Sequence, residues 1–140
     1  MIERVTSKTI ERETMRTFVF ALALTISTAV WADNHGMLYE MRVYTANEGK
    51  LDALHERFRN HTMRIFEKHG MQNVAYWRPV DQANTLIYII AHTDAESAKA
   101  SWQAFVSDPE WQQVYADSIA SGRLVGNIES TFMTKTDYSP

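Results

Sequence analysis

The sequence predicts an α+β fold, a ferredoxin-like βαββαβ subunit whose antiparallel sheet carries two helices on one face. Three observations support this order. Residues 38–44 alternate in polarity like a strand, residues 50–69 and 94–119 place apolar side chains at helical spacing, and 73–92 contains two strand-like runs joined by a short polar loop. A last strand-like run at 127–134 completes the order, and two right-handed crossovers give the strand order 4-1-3-2.

The first strand has two distinct faces. Its side chains divide into Tyr39, Met41 and Val43 on one face and Leu38, Glu40, Arg42 and Tyr44 on the other. Because the first set is apolar, we expect it to face the covering helices. The second, more polar set is then predicted to lie on the uncovered face of the sheet.

A long amphipathic helix is predicted from about Lys50 to His69, and Gly70 supplies its C-terminal stop. Its apolar arc consists of Leu51, Leu54, Phe58, Thr62, Ile65 and Phe66. Charged and polar side chains lie away from this arc, so the arc is expected to pack on the sheet.

The second and third strands are predicted at Asn73–Val80 and Thr85–His92, and together they form a hairpin. If the strands pair directly across the four-residue loop between them, Trp77 lies opposite Tyr88 and Tyr76 lies on the other face. A shift of one residue in this register would exchange the faces of Trp77 and Tyr76.

The second helical region contains two capping signals. Asp94 can cap a helix that runs to about Val106, and Asp108 can cap a second helix that starts at Pro109. Gly122 is predicted to end this second helix, ahead of the last strand.

The uncovered face of the predicted sheet is too apolar for water. It carries Leu38, Leu86 and Ile90 among its polar residues. A second copy of the chain packed on this face would bury these side chains, so the sequence predicts a homodimer.

Short motifs along the chain resemble those of a known family. They are Tyr39-Glu40-Met41-Arg42-Val43-Tyr44 with Gly49-Lys50-Leu51, Arg57-Phe58-Arg59-Asn60-His61-Thr62, Phe66-Glu67-Lys68-His69-Gly70, Tyr76-Trp77, Asp108-Pro109-Glu110-Trp111 and the tail Thr136-Asp137-Tyr138-Ser139-Pro140. In this order they resemble the NIPSNAP family, within the dimeric α+β barrel superfamily, over essentially all of 37–140. The resemblance implies that the sheets of two subunits enclose a barrel, and it implies no particular reaction. The wider superfamily includes cofactor-free monooxygenases, haem-handling enzymes and muconolactone isomerases.

Residues 1–32 have the pattern of an export signal. Phe18 to Val30 is an uncharged, mostly apolar run of 13 residues, whereas about 20 are needed to span a bilayer. Small residues at Val30 and Ala32 allow cleavage before Asp33. The sequence therefore predicts a mature domain at 33–140 that is periplasmic or secreted.

The first 14 residues do not suit the start of such a signal, because acidic side chains are mixed with the basic ones. Translation is therefore expected to begin at Met15.

Charge and composition exclude several classes of function. The formal net charge is −3 and the chain contains no Cys. With a net negative charge, the chain is a poor candidate for binding nucleic acid. Because it has no Cys, thiol catalysis and thiolate metal sites are excluded. His55, His61 and His69 lack the i,i+3 or i,i+4 spacing of helical metal ligands, so neither a metal nor a cofactor is predicted.

The lumen of the predicted barrel is the candidate ligand site. Small-molecule pockets are mostly apolar or aromatic with a few polar groups. The predicted ligand-binding residues are Glu40, Arg42, Tyr44, Trp77, Tyr88 and His92 in the lumen and His61 near its mouth. They favour a small apolar or aromatic ligand.

Two other functions fit the same residues. A cofactor-independent monooxygenase or isomerase would use Tyr44, Tyr88 or His92 as its proton-transfer group. A protein-interaction module of the cell envelope would instead have a filled barrel, with Glu40 and Arg42 paired to fix the dimer register.

Overall fold

The computed structural model describes residues 36–140, so the predicted export signal and the predicted start at Met15 lie outside the described residues. The elements are β1 Leu38–Ala46, α1 Leu51–Arg57, a π-helical segment Phe58–Thr62, α2 Met63–Lys68, β2 Gln72–Trp77, β3 Thr85–His92, α3 Ala95–Ser107, α4 Pro109–Ser118 and β4 Val125–Met133. This is the predicted βαββαβ order.

The four strands form one antiparallel sheet in the order β2-β3-β1-β4. The predicted strand order is therefore confirmed, and the predicted bounds of β3 are correct. The strand β2 ends at Trp77, earlier than the predicted Val80, because the loop to β3 runs from Arg78 to Asn84 and is longer than the predicted four residues. The strand β4 begins at Val125, two residues before its predicted start.

The predicted first helix is observed as one helical run of α1, the π-helical segment and α2. The run ends before Gly70, whose φ of +77° is the left-handed conformation typical of a helix stop. The Gly70 N–H donates to the carbonyl of Glu67 at 3.0 Å. The sequence therefore identified both the helix and its terminus, but not the π-helical turn in its middle.

Both predicted capping aspartates act as caps. The Asp94 carboxylate accepts from the backbone N–H of Ser97 at 2.7 Å, and the Asp108 carboxylate accepts from that of Glu110 at 2.8 Å. The α4 helix ends at Ser118, a turn earlier than predicted.

The helices cover one face of the sheet with a core rich in aromatic rings. Leu54, Phe58 and Phe66 from the first helical run and Phe105 from α3 pack over Tyr88 of β3. Edge-to-face contacts are frequent, such as Phe58–Phe66 at 6.2 Å between ring centroids. Full burial of each such side chain contributes about 1.5–3 kcal/mol.

The predicted orientation of β1 is wrong. Glu40 and Tyr44 lie on the helix-covered face, where Glu40 accepts from Trp102 of α3 and Tyr44 contacts Phe58 at 5.9 Å between centroids. The same face carries Leu86, Tyr88, Ile90 and His92, which are fully buried. Alternation tells which side chains share a face, but the covered face is decided by the partners that the helices supply.

The predicted register of the hairpin is also wrong. Tyr76, not Trp77, pairs with Tyr88, and the two rings stack at 5.4 Å. The loop from Arg78 to Asn84 sets this pairing, and a β-bulge between Asn73 and Ala75 changes it only at the far end of β2. Trp77 lies on the uncovered face, where the lumen was predicted, but it is opposite Ile87 instead of Tyr88, and it is 47% exposed.

The uncovered face is apolar, as predicted, but it carries Tyr39, Met41 and Val43 of β1 in place of Leu38, Glu40 and Tyr44. The large apolar side chains of β3 on this face are Ile87 and Ile89. Within residues 36–140, no helix combines the length and the apolar character that crossing a membrane requires.

Candidate functional site

A cavity of about 150 Å³ lies between the sheet and the helices. Every helix and two strands contribute to its wall, and the wall is dominated by aromatic and aliphatic side chains. The described lining residues are Tyr44, Arg57, Phe58, Thr62, Phe66, Phe105, Trp111, Tyr115, Ile119, Arg123, Leu124, Val125 and Ile128. Two of them are arginines and none is Asp, Glu or His.

The π-helical segment places Phe58 and Thr62 on the inner side of the helix, together with Arg57, the residue before the segment. In an α-helix a turn closes after 3.6 residues, so residues five apart do not share a face. The wider π turn aligns Arg57 with Thr62, and the Thr62 Oγ1 donates to the Arg57 carbonyl at 3.2 Å. Single π turns within α-helices are frequent at functional sites.

Arg57 is the buried cation of the cavity, with only 6% of its surface exposed. Its Nη1 donates to the Ser118 hydroxyl at 3.1 Å, and its guanidinium lies 5.2 Å from the Trp111 ring centroid and 5.6 Å from that of Tyr115. Burial lowers the pKa of Arg57 from its usual value. Since an arginine remains protonated in proteins, the cavity wall carries a positive charge.

Glu40 is the centre of a second buried polar cluster. Its carboxylate accepts from Trp102 Nε1 at 2.7 Å, Ser130 Oγ at 2.8 Å and Arg42 Nη1 at 3.1 Å, and it lies 3.0 Å from His92 Nε2. Burial favours the neutral acid, but hydrogen bonds from His92, Trp102 and Ser130 and the charge of Arg42 together lower the pKa of Glu40. The carboxylate is therefore ionised and fully satisfied.

The predicted site residues fall into four separate places. Glu40, Arg42 and His92 form the cluster just described, and none of them lines the described cavity. Tyr44 lines the cavity, and its hydroxyl accepts from the Tyr88 hydroxyl at 3.0 Å.

The remaining two predicted residues lie elsewhere. Trp77 is on the uncovered sheet face, and His61 is exposed in an outer groove between α1 and α4. The prediction that six of these residues share one lumen, with His61 near its mouth, is therefore wrong, because of the seven only Trp77 lies on the uncovered face. The alternation of side chains along β1 and β3 was predicted correctly, but the face that the helices cover and the register of the hairpin were not.

Two phenols on the covered face of the sheet, those of Tyr88 and Tyr76, are poorly suited to act as bases. Burial, the dominant cause, raises the pKa of Tyr88 well above its usual value, and burial likewise raises the pKa of Tyr76. Both hydroxyls stay protonated near neutral pH. Within residues 36–140, no three His, Asp or Glu side chains are grouped so that they could hold a metal ion.

Sequence reasoning missed Arg57, Trp111, Tyr115 and Ser118 as residues of one site. A signal for Arg57 was present, because it follows Leu54 by three positions and so lies near the apolar arc of the helix. A charged residue at such a position is a candidate for a buried functional group.

Comparison with known proteins identifies the fold. A family model described as NIPSNAP matches residues 39–140. An uncharacterised NIPSNAP-like domain protein from Burkholderia xenovorans has a TM-score of 0.66 at 18% identity, covering 76% of this chain and 90% of that chain. A NIPSNAP family protein of unknown function from Agrobacterium tumefaciens has a TM-score of 0.66 at 22% identity, covering 76% and 94%.

A more distant likeness is to SnoaB, a cofactor-independent oxygenase from Streptomyces nogalater. Its TM-score is 0.53 at 17% identity, with 75% of this chain and 98% of that chain covered. A likeness at this level of identity shows a shared fold and carries no reaction. No curated protein matches the sequence.

Proposed function

This chain belongs to the NIPSNAP family, and we propose that it binds a small aromatic molecule in the cavity between its sheet and its helices. The observation that carries the proposal is the lining of that cavity by aromatic rings from five different elements, among them Tyr44, Phe58 and Trp111. An apolar cavity of about 150 Å³ admits one benzene-sized ring. The ligand is therefore expected to be a single ring with few substituents.

The proposed site differs in place from the predicted lumen. Each subunit contains its own cavity, enclosed by its own helices, so binding does not require a lumen between two sheets. Ring-to-ring contacts already present in the wall, such as Phe105–Trp111 at 4.4 Å, indicate that a further ring can pack there.

The proposal is tested by blocking the cavity from its rim. Ile128 lines the cavity and is 46% exposed, so a larger side chain can enter the space without disturbing the core. Ligand-observed NMR of the purified protein with toluene, benzyl alcohol, indole and benzoate is expected to show binding that Ile128→Trp reduces at least tenfold.

Phe132→Trp is the matched control. Phe132 lies on the same face of β4 and is 53% exposed, but it does not line the cavity. Its substitution is expected to leave binding unchanged. Failure of all four probes to bind, or equal binding by Ile128→Trp and the native protein, would contradict the proposal.

Two copies of the chain are further proposed to pair through their uncovered sheet faces. The apolar side chains of this face, with Val74 44% exposed and Trp77 47% exposed, support such a contact. Met41→Asp places a charge at the middle of the face and is expected to yield a monomer in sedimentation velocity. Val106→Asp, on an exposed helix position, is the control. A monomeric native protein at micromolar concentration would contradict the pairing.

Export to the periplasm or beyond remains a proposal that the N-terminal sequence supports. The apolar run ending near Ala32 favours cleavage before Asp33. Mass spectrometry of the protein from its native host is expected to find Asp33 at the N-terminus, and a retained segment 15–32 would contradict export by cleavage.

A further inference from the structure

Arg57 separates two spaces. On its inner side it lines the aromatic cavity, and on its outer side it lines a groove of about 320 Å³ between α1 and α4. A charged side chain at such a boundary, with 94% of its surface removed from solvent, loses most of its hydration. The charge therefore needs compensation from the groups around it.

The described residues supply little of this compensation. The Arg57 guanidinium makes one hydrogen bond to a described residue, to the neutral Ser118 hydroxyl, and its buried Nε has no described partner. The Ser118 hydroxyl donates its own proton to the Tyr115 carbonyl at 2.8 Å, so it is oriented to accept from Arg57. The flanking rings offer π faces but no negative charge.

Carboxylates are near the groove but do not neutralise the guanidinium. Glu56 and Asp117 line the outer groove, yet neither forms an ion pair with Arg57. Asp117 instead accepts from Gln113 Nε2 at 2.9 Å. On the inner side Arg123 adds a second positive side chain to the cavity wall, and no acid is among the described lining residues.

We propose that the ring bound in the cavity carries a carboxylate, which pairs with the Arg57 guanidinium. This inference rests on the proposed function, because it names the chemical class of the same ligand. The planar fork of arginine matches a carboxylate in a bidentate geometry, which a neutral ring cannot use. The aromatic wall would hold the ring, and Arg57 would select its charged substituent.

The experiment compares acids with their neutral amides of nearly equal shape. Benzoate and salicylate are titrated against benzamide and salicylamide at neutral pH, with the native protein and with Arg57→Met, Arg57→Lys and Arg59→Met. Arg59 is exposed in the π-helical segment that follows Arg57 and does not line the cavity, so it controls for the loss of one positive charge. Thermal unfolding of every variant verifies that it is folded.

The native protein and Arg59→Met are expected to bind each acid roughly tenfold to a hundredfold more tightly than its amide, the range of a charge-assisted hydrogen bond. Arg57→Met should reduce this preference to within about twofold while retaining amide binding. Arg57→Lys, which keeps the charge without the fork, should retain an intermediate preference.

The failures are distinguishable. If acid and amide bind the native protein equally, or if Arg57→Met keeps the preference, the carboxylate inference is wrong while the aromatic cavity stands. If neither acid nor amide binds at all, the proposed function is wrong and the inference falls with it.

Discussion

Two buried charges in the layer between sheet and helices have opposite surroundings. The Glu40 carboxylate receives hydrogen bonds from a tryptophan, a serine and an arginine, and a histidine lies within bonding distance. The Arg57 guanidinium has one hydroxyl partner among the described residues and a cavity beside it. A satisfied buried charge belongs to the architecture, whereas an unsatisfied one next to a cavity indicates a binding group.

The largest expected effect is that of removing the satisfied charge. Glu40→Ala would leave the partly buried Arg42, the buried His92 and the Trp102 N–H without their shared acceptor. The free energy of unfolding, measured in urea, is expected to fall by about 3–5 kcal/mol. Glu48→Ala, at an exposed position in the turn after β1, is the control and should change stability by less than about 0.5 kcal/mol. If Glu40→Ala lowered the free energy of unfolding by less than about 1 kcal/mol, the contrast between a structural Glu40 and a ligand-binding Arg57 would not hold.

A smaller effect is expected from Glu40→Gln, and it should depend on pH. The pKa of Glu40 in the folded protein is below its usual value of 4.5, so the ionised group stabilises the fold above that value. This contribution is lost as the pH falls through the lowered folded-state pKa. The free energy of unfolding of the native protein should therefore exceed that of Glu40→Gln by about 1.5–3 kcal/mol at pH 7.

The same two proteins compared at successively lower pH below 4.5 should show this gap narrowing. Other acids, such as Asp108 with its pKa lowered by Lys68 and His69, titrate in both proteins and cancel in the difference. A gap that stays constant between pH 7 and pH 3 would show that charge is not what Glu40 contributes.

The smallest expected effect, and one of opposite sign, is that of removing the unsatisfied charge. Arg57→Met keeps much of the volume and removes the desolvation cost of the guanidinium. The free energy of unfolding without ligand is expected to be unchanged or to rise by up to about 2 kcal/mol, while the acid preference is lost. If Arg57→Met instead lowered the free energy of unfolding, measured in urea, by more than about 2 kcal/mol, Arg57 would be a structural residue like Glu40.

Much of the fold followed from local signals in the sequence. The bounds of β3, the two aspartate caps and the glycine after α2 were correct because each depends on a few neighbouring residues. The strand order was also correct, because few topologies satisfy the βαββαβ order.

The site was predicted less well because it depends on distant partners. Glu40 is buried since Trp102, 62 positions away, donates to it, and no strand pattern contains that information. Trp77 lies on the predicted face, but its partner there is Ile87 and not Tyr88, because the loop that joins β2 to β3 is longer than predicted. Arg57 was missed because a charged residue on a helix is ordinarily solvated, and only the packing of α4 against the π-helical segment removes it from water.

The π turn has a consequence for how this helix can vary. It holds one more residue than an α-helical turn, so every side chain after it is rotated by roughly 100° relative to an uninterrupted helix. Because the π turn brings Thr62 to the place that the fourth residue after Arg57 would occupy in an α-helix, deleting one residue between Phe58 and Thr62 would restore an α-helical turn and leave Ile65 and Phe66 buried in the core. Closing the π turn into an α-helix without such a deletion would instead rotate both side chains out of the core.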